Sequence, residues 1–129
     1  MNRRTFGLAA LAATAMFVGS ANAQQGPIKI GLILPYSGQF ADAAAQMDNA
    51  IKLFVKENGD AVAGRKIEFI RKDTGGIAPD VAKRLAQELV VRDGVDILAG
   101  FVLTPNAMAA GDVSDQAKKF MVVMNAATS

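Results

Sequence analysis

Three short segments carry the residues best suited to hold a small molecule: Pro35-Tyr36-Ser37-Gly38, Phe101-Val102-Leu103-Thr104 and Asn125-Ala126-Ala127-Thr128. They are rich in hydroxyls and small side chains, and two of them include an aromatic ring. Thr104 followed by Pro105 reads as a cap and a first-turn proline at the start of a helix. Such a place favours an anion, through unpaired amides and the positive end of the helix dipole. Ala126 and Ala127 leave the backbone open beside the hydroxyl of Thr128. Together these features point to a small carboxylate held by hydroxyls and amides. Two plainer readings stand beside this one: Thr104 as a helix cap only, and Tyr36 as ordinary loop packing.

Other chemistries lack their residues. With 0 histidines and 0 cysteines, the chain has no imidazole base, thiolate nucleophile, disulfide or Cys-ligated zinc site. Gly31 and Gly38 do not spell a dinucleotide-binding fingerprint, and neither a phosphate-binding loop nor a Gly-x-Ser-x-Gly elbow occurs. No enzyme activity, metal or cofactor is expected. The pairs Asp42 with Asp48 and Asp112 with Asp115 read as solvated helix faces, and Met47, Met108, Met121 and Met124 as core. The 14 basic and 12 acidic residues differ only by Arg3 and Arg4, so the rest of the chain balances. That balance offers no bulk attraction to nucleic acid or to an anionic membrane.

The elements that must position the three segments follow from periodicity. Ile28 to Leu34 is a short apolar run, read as a buried strand. A helix is expected over Ala41 to Asn58, with Met47, Ile51, Phe54 and Val55 as its inner face and Gly59 as its stop. Lys66 to Arg71 alternates as a strand near a sheet edge does. A second helix opens at Pro79, buries Val81, Ala82, Leu85, Leu89 and Val90, and closes at Gly94. A strand over Val95 to Gly100, a helix from Thr104 to about Lys119 and a strand over Phe120 to Met124 complete the series. Alternating strands and helices predict an α/β fold with a doubly wound parallel sheet and helices on both faces. Ligands of such sheets bind beyond the carboxyl ends of the strands, where all three segments fall.

Residues 1–23 read as a cleavable signal peptide. Arg3 and Arg4 form a basic head, Phe6 to Val18 an apolar middle, and Ala21-x-Ala23 a small-residue exit before Gln24. The apolar stretch is too short for a spanning helix of about 20 residues. Arg3-Arg4-Thr5-Phe6 also fits a twin-arginine signal, so either export route is open. Residues 24–129 are then one α/β ligand-binding lobe, read as incomplete because the chain stops just past a strand with no covering helix.

At these segments the chain resembles the N-terminal part of the type I periplasmic binding proteins of branched-chain amino acid ABC transporters, the leucine/isoleucine/valine-binding kind. The resemblance is carried by Ile28-Lys29-Ile30-Gly31 through Ser37-Gly38, Gly64-Arg65-Lys66-Ile67, Asp73, Gly100 to Thr104 and Ala126-Ala127-Thr128. It implies that the Thr104 hydroxyl meets a ligand carboxylate, that Ala126 contributes its backbone, and that Thr128 contacts the ligand's polar head. It places Phe101, Val102 and Leu103 along the ligand's side-chain end. It further implies a periplasmic monomer that closes two lobes on an amino acid and delivers it to an ABC permease in the inner membrane. The second lobe is not in this sequence. Asn125 stands where the family usually has proline, and Thr104-Pro105 replaces a serine-rich turn. With Tyr36 and Phe101, these departures leave open an aromatic or other organic acid as the ligand. A sensory module that signals to a receptor is a further alternative.

Overall fold

The computed structural model describes residues 26–126. The signal segment, with Ala23 and Gln24, and the last three residues, Ala127 to Ser129, lie outside the described residues. Among the described residues five strands and three α-helices follow in the order β1 (Ile28–Leu34), α1 (Ala41–Asn58), β2 (Ala61–Val62), β3 (Arg65–Asp73), α2 (Pro79–Glu88), β4 (Ile97–Gly100), α3 (Thr104–Ala117) and β5 (Phe120–Val123). The sheet order is β2-β3-β1-β4-β5, with every pair parallel except β2 with β3. This is the expected doubly wound α/β fold with one added strand. Strand β2 is only two residues long and gives no periodic signal. It forms through a two-residue turn in which Ala63 (φ 50°) and Gly64 (φ 78°) both take left-handed backbone.

Pairing register assigns each strand residue to a face. Ile33 and Leu98 face α2 and α3, where they join Leu85, Ala86, Leu89, Val95, Ala107, Ala110 and Val113 in the main core. Their neighbours Leu32 and Leu34 turn to the α1 face. Gly31 lies under Leu89: a Cβ there would sit 2.7 Å from a Leu89 methyl. Helix α2 runs on through a π turn, Leu89–Asp93, and ends at Gly94 in the left-handed region (φ 66°, ψ 42°), as expected.

The α1 face differs from the sequence reading. Phe54 is 61% exposed, and the helix instead buries Ala44 and Asp48, with Met47, Ile51 and Val55 half-buried. Phe54, seven residues on from the half-buried Met47, falls at the rim of the 44-47/48-51-55 stripe rather than at its centre. Asp48 is therefore not on a solvated face. It is 6% exposed and pairs with Arg71 of β3 at 2.6 Å and with Lys52 at 2.8 Å. Asp42, Asp112 and Asp115 are exposed, as expected. Met108 and Met124 are surface residues rather than core.

Candidate functional site

The carboxyl ends of β1 and β3 are tied through single atoms. The Leu34 carbonyl accepts from the amides of both Tyr36 and Thr74, each at 3.1 Å. One Asp73 carboxylate oxygen accepts from the amides of Gly75 (2.8 Å) and Ser37 (3.3 Å). Burial works to raise the Asp73 pKa, but hydrogen bonds from the Ser37 side chain and from these amides outweigh it. The carboxyl is held below its ordinary range. Gly38 must be glycine: its φ is 77°, and a Cβ would lie 2.5 Å from the Gly75 carbonyl oxygen. Asn106 of α3 is 2% exposed and joins the third crossover to this edge. Its Oδ1 accepts from the Ala78 amide at 2.9 Å, and its Nδ2 donates to the Gly76 carbonyl at 2.8 Å.

At the end of β4 the chain bends sharply out of the sheet. Gly100 takes φ 116°, and a Cβ there would meet the Ile33 carbonyl oxygen at 2.5 Å. Phe101 follows at φ 67°, in a left-handed conformation that costs a bulky residue energy. Its ring is 1% exposed within the main core, and its amide donates to the Ile33 carbonyl at 2.9 Å, so both ends of the residue hold the bend. Val102, Leu103 and Thr104 then emerge half-buried. The Ala107 amide donates to the Leu103 carbonyl at 3.1 Å. Leu103 is thus the N-cap and Thr104 the first helical residue, one place later in the helix than the expected cap. The amides of Met124 and Ala126 donate to the carbonyls of Gly100 (2.8 Å) and Phe101 (3.1 Å), which lays Asn125-Ala126 alongside the bend.

Val102, Leu103, Thr104 and Ala126 therefore meet on one carboxyl edge, beside the positive end of the α3 dipole. The Ala126 amide is engaged by the Phe101 carbonyl. Phe101 contributes backbone to this edge, its ring being enclosed in the core. Tyr36 belongs to the same edge by its backbone, but its hydroxyl is buried with no hydrogen-bond partner among the described residues. Burial first, and then the nearby Asp48 carboxylate, push its pKa up to about 12, so the phenol is neutral. Thr128 lies outside the described residues. Among the described residues no cluster of acidic side chains could hold a metal ion.

Sequence reasoning missed the architecture that fixes the edge. Asp73-Thr74-Gly75-Gly76 carries the composition of an Asx turn, in which Asp bonds the amide two residues on. Asn106 gave no signal, since an asparagine in a first helical turn is unremarkable without its partners. Two surface hollows lie elsewhere: one at Gly26, Pro27 and Gly64 to Glu68, the other between the ends of α2 and α3 around Val90, Val91 and Val113.

A family model described as periplasmic binding protein matches residues 27–129. The Leu/Ile/Val-binding protein homolog 6 of Brucella abortus (strain 2308) is 42% identical over 121 residues, which are 93% of this chain and 31% of that relative. A solute binding protein of an ABC transporter from Rhodopseudomonas palustris BisB5, solved with 3,4-dihydroxybenzoic acid, is 52% identical with a TM-score of 0.76. The match covers 79% of this chain and 28% of that one. The branched-chain amino acid transporter substrate binding protein LivJ of Streptococcus pneumoniae, solved with isoleucine, shares the fold at 23% identity. Its TM-score is 0.72, over 79% of this chain and 30% of that one. The chain thus spans about a third of the length of the relatives it matches.

Proposed function

This chain belongs to the periplasmic binding protein family, and from that premise we propose that it is the first lobe of a solute-binding protein for an ABC importer. In this reading residues 1–23 direct export and are removed after Ala23, and residues 24–129 work in the periplasm as one lobe of two. The ligand is a small carboxylate, such as a branched-chain or other amino acid, and the partner is a permease in the inner membrane. One observation carries the reading: Val102, Leu103, Thr104 and the Ala126 backbone converge on a single carboxyl edge at the N-terminus of α3. Thr104 and Thr128 supply hydroxyls to the carboxylate, Val102 and Leu103 supply apolar contact, and Phe101 contributes its backbone. Closure against a second lobe supplies the other wall, and a ligand drives it only by favouring the closed form.

A second ligand class has an observation of its own. The relative solved with dihydroxybenzoic acid is 52% identical to this chain, and the one solved with isoleucine is 23% identical. In this second reading an aromatic carboxylate occupies the same edge. The deciding experiment is calorimetry of the two-lobe protein with isoleucine and with 3,4-dihydroxybenzoate as probes. Thr104→Val and Thr128→Val each remove one hydroxyl and keep the side-chain shape. Hydrogen bonds to charged groups contribute about 1.5–3 kcal/mol, so each change should weaken the bound probe roughly ten- to a hundredfold. Unchanged affinity in both variants would place the cleft elsewhere. Melting without ligand separates a helix-start effect at Thr104 from a ligand effect.

A further inference from the structure

The end of α1 holds a chemical feature that neither the sheet nor the carboxyl edge uses. Asn58 is the last residue of the helix and is followed by Gly59. Asn49, Asn106 and Asn125, the other asparagines among the described residues, each precede alanine. An asparagine side-chain amide is open to attack by the backbone nitrogen of the next residue. A following glycine removes the side chain that would obstruct the approach. The helical backbone opposes the attack, because it holds that nitrogen in the hydrogen-bond ladder and away from Cγ. Protection is weakest in a final turn, where one opening event suffices.

We propose that Asn58-Gly59 is a self-modification site, at which the Asn58 amide converts to aspartate and isoaspartate through a cyclic imide. Asn58 is exposed at the helix end. Two bonds hold it there: its Nδ2 donates to the Phe54 carbonyl at 3.0 Å, and the Gly59 amide donates to the Val55 carbonyl at 2.8 Å. When the last turn opens, the Gly59 nitrogen is released. It bonds to Asn58 Cγ, the Cγ–Nδ2 bond breaks, and ammonia leaves carrying the proton from the Gly59 amide. Water then opens the ring at either carbonyl, giving aspartate or isoaspartate. The surroundings of Gly59 are open, since apart from its chain neighbours a Cβ built on it would have nothing within 4 Å. Asn106 is excluded because it is 2% exposed and both ends of its amide are engaged. Asn49 is excluded by its place in the middle of α1.

The product changes the helix. A new carboxylate appears at the negative end of the α1 dipole, where it is unfavourable, and the donor to the Phe54 carbonyl is lost. The last turn should fray further after conversion.

The test is incubation of the purified chain in warm alkaline and mildly acidic buffers, followed by peptide mass mapping and enzymatic isoaspartate labelling. The expected result is conversion concentrated at Asn58, faster in alkali because the attacking nitrogen must lose its proton. Asn58→Gln should abolish the label in that peptide while leaving circular dichroism unchanged. Gly59→Ala should slow conversion several-fold. Faster conversion at Asn125 than at Asn58 would overturn the proposal. So would an intact Asn58 amide in the folded chain under conditions that convert it in urea.

Discussion

The two faces of the sheet are held by different forces. The face under α2 and α3 is a continuous apolar core of leucine, isoleucine, valine and alanine with one phenylalanine. The face under α1 has apolar sheet residues too, but its helix turns Ala44 and Asp48 inward and leaves Leu53 and Phe54 in water. A charged group, Asp48 between Arg71 and Lys52, does there what leucines do on the other side. Arg71 also lies over the Phe69 ring, 5.9 Å from its centre. Apolar burial is non-directional and tolerates small shifts. An ion pair fixes geometry but adds little net stability where its partners meet solvent. The candidate site sits where loops from both faces meet, and its residues take their positions from each.

The largest effect should come from the apolar face. Leu89 is fully buried and rests on Gly31. Leu89→Ala should destabilise the chain by about 2–5 kcal/mol, the range for deleting a buried leucine side chain. On the α1 face Ile51 is half-buried, and Ile51→Ala should cost clearly less. Urea unfolding of the two variants measures the contrast. Equal losses would mean that α1 is packed as tightly as α2 and α3.

The next test removes the charge under α1. Asp48→Ala leaves the Arg71 guanidinium without its partner and the Tyr36 hydroxyl beside an unbalanced cation. Arg71 and Lys52 side chains are 38% and 63% exposed, so solvent screens much of the loss. A cost of about 1–2 kcal/mol is expected, below the range for breaking a fully buried pair. Burial works to raise the Asp48 pKa, but Lys52 and Arg71 outweigh it and hold it below its ordinary value. A depressed carboxylate contributes stability that is complete above its unfolded pKa, about 3.9. It is lost as pH falls through the lower folded pKa. The gap between parent and Asp48→Ala in urea titrations should therefore narrow in acid. A gap that widens on acidification would contradict the pairing.

How much of this was legible in the sequence differs by face. The strands and the α2 and α3 stripes could be read because apolar periodicity reports apolar burial. Helix α1 was placed correctly over Ala41–Asn58, yet its inner face was misread. Hydrophobicity pulls Phe54 inward on paper, and nothing local tells Asp48 that Arg71 waits 23 residues away. The same limit hid Asn106, whose partners lie 28 and 30 residues upstream. The carboxyl edge could be located because topology places it, and Thr104 and Ala126 are both on it. The ring of Phe101 was not legible as a buried group, and for Tyr36 the sequence left loop packing and ligand contact both open. Each depends on a backbone bend or a long-range charge that composition does not encode.

Asn106 offers an intermediate test, because it ties α3 to the loop that leads into α2 without belonging to the apolar core. Asn106→Ala deletes a buried donor and acceptor and strands the Ala78 amide and the Gly76 carbonyl. At about 1 kcal/mol net per hydrogen bond, the loss should be roughly 1–2 kcal/mol in urea unfolding. Hydrogen exchange should report it locally, with faster exchange at Ala78 and unchanged rates in β1. Uniform acceleration across the sheet would show that Asn106 supports the whole fold rather than one loop.

The smallest effect should come from Asp73, where the loops of β1 and β3 are stitched by one carboxylate oxygen. Asp73→Asn keeps an oxygen for the Gly75 and Ser37 amides and removes only the charge, whereas Asp73→Ala removes both bonds. The residue is exposed, so water replaces much of what is lost. Each variant should change global stability by under about 1 kcal/mol, with alanine the worse. The pH dependence separates bond from charge. The Asp73 carboxylate is held low by its donors, so its contribution is full above the unfolded carboxylate pKa and fades as pH falls through the lower folded one. Parent and Asp73→Asn should therefore differ near neutral pH and converge in acid, and Asp73→Ala should stay below both at every pH. Convergence of all three in acid would mean that the protonated group no longer holds the amides, and that charge alone closes this edge of the site.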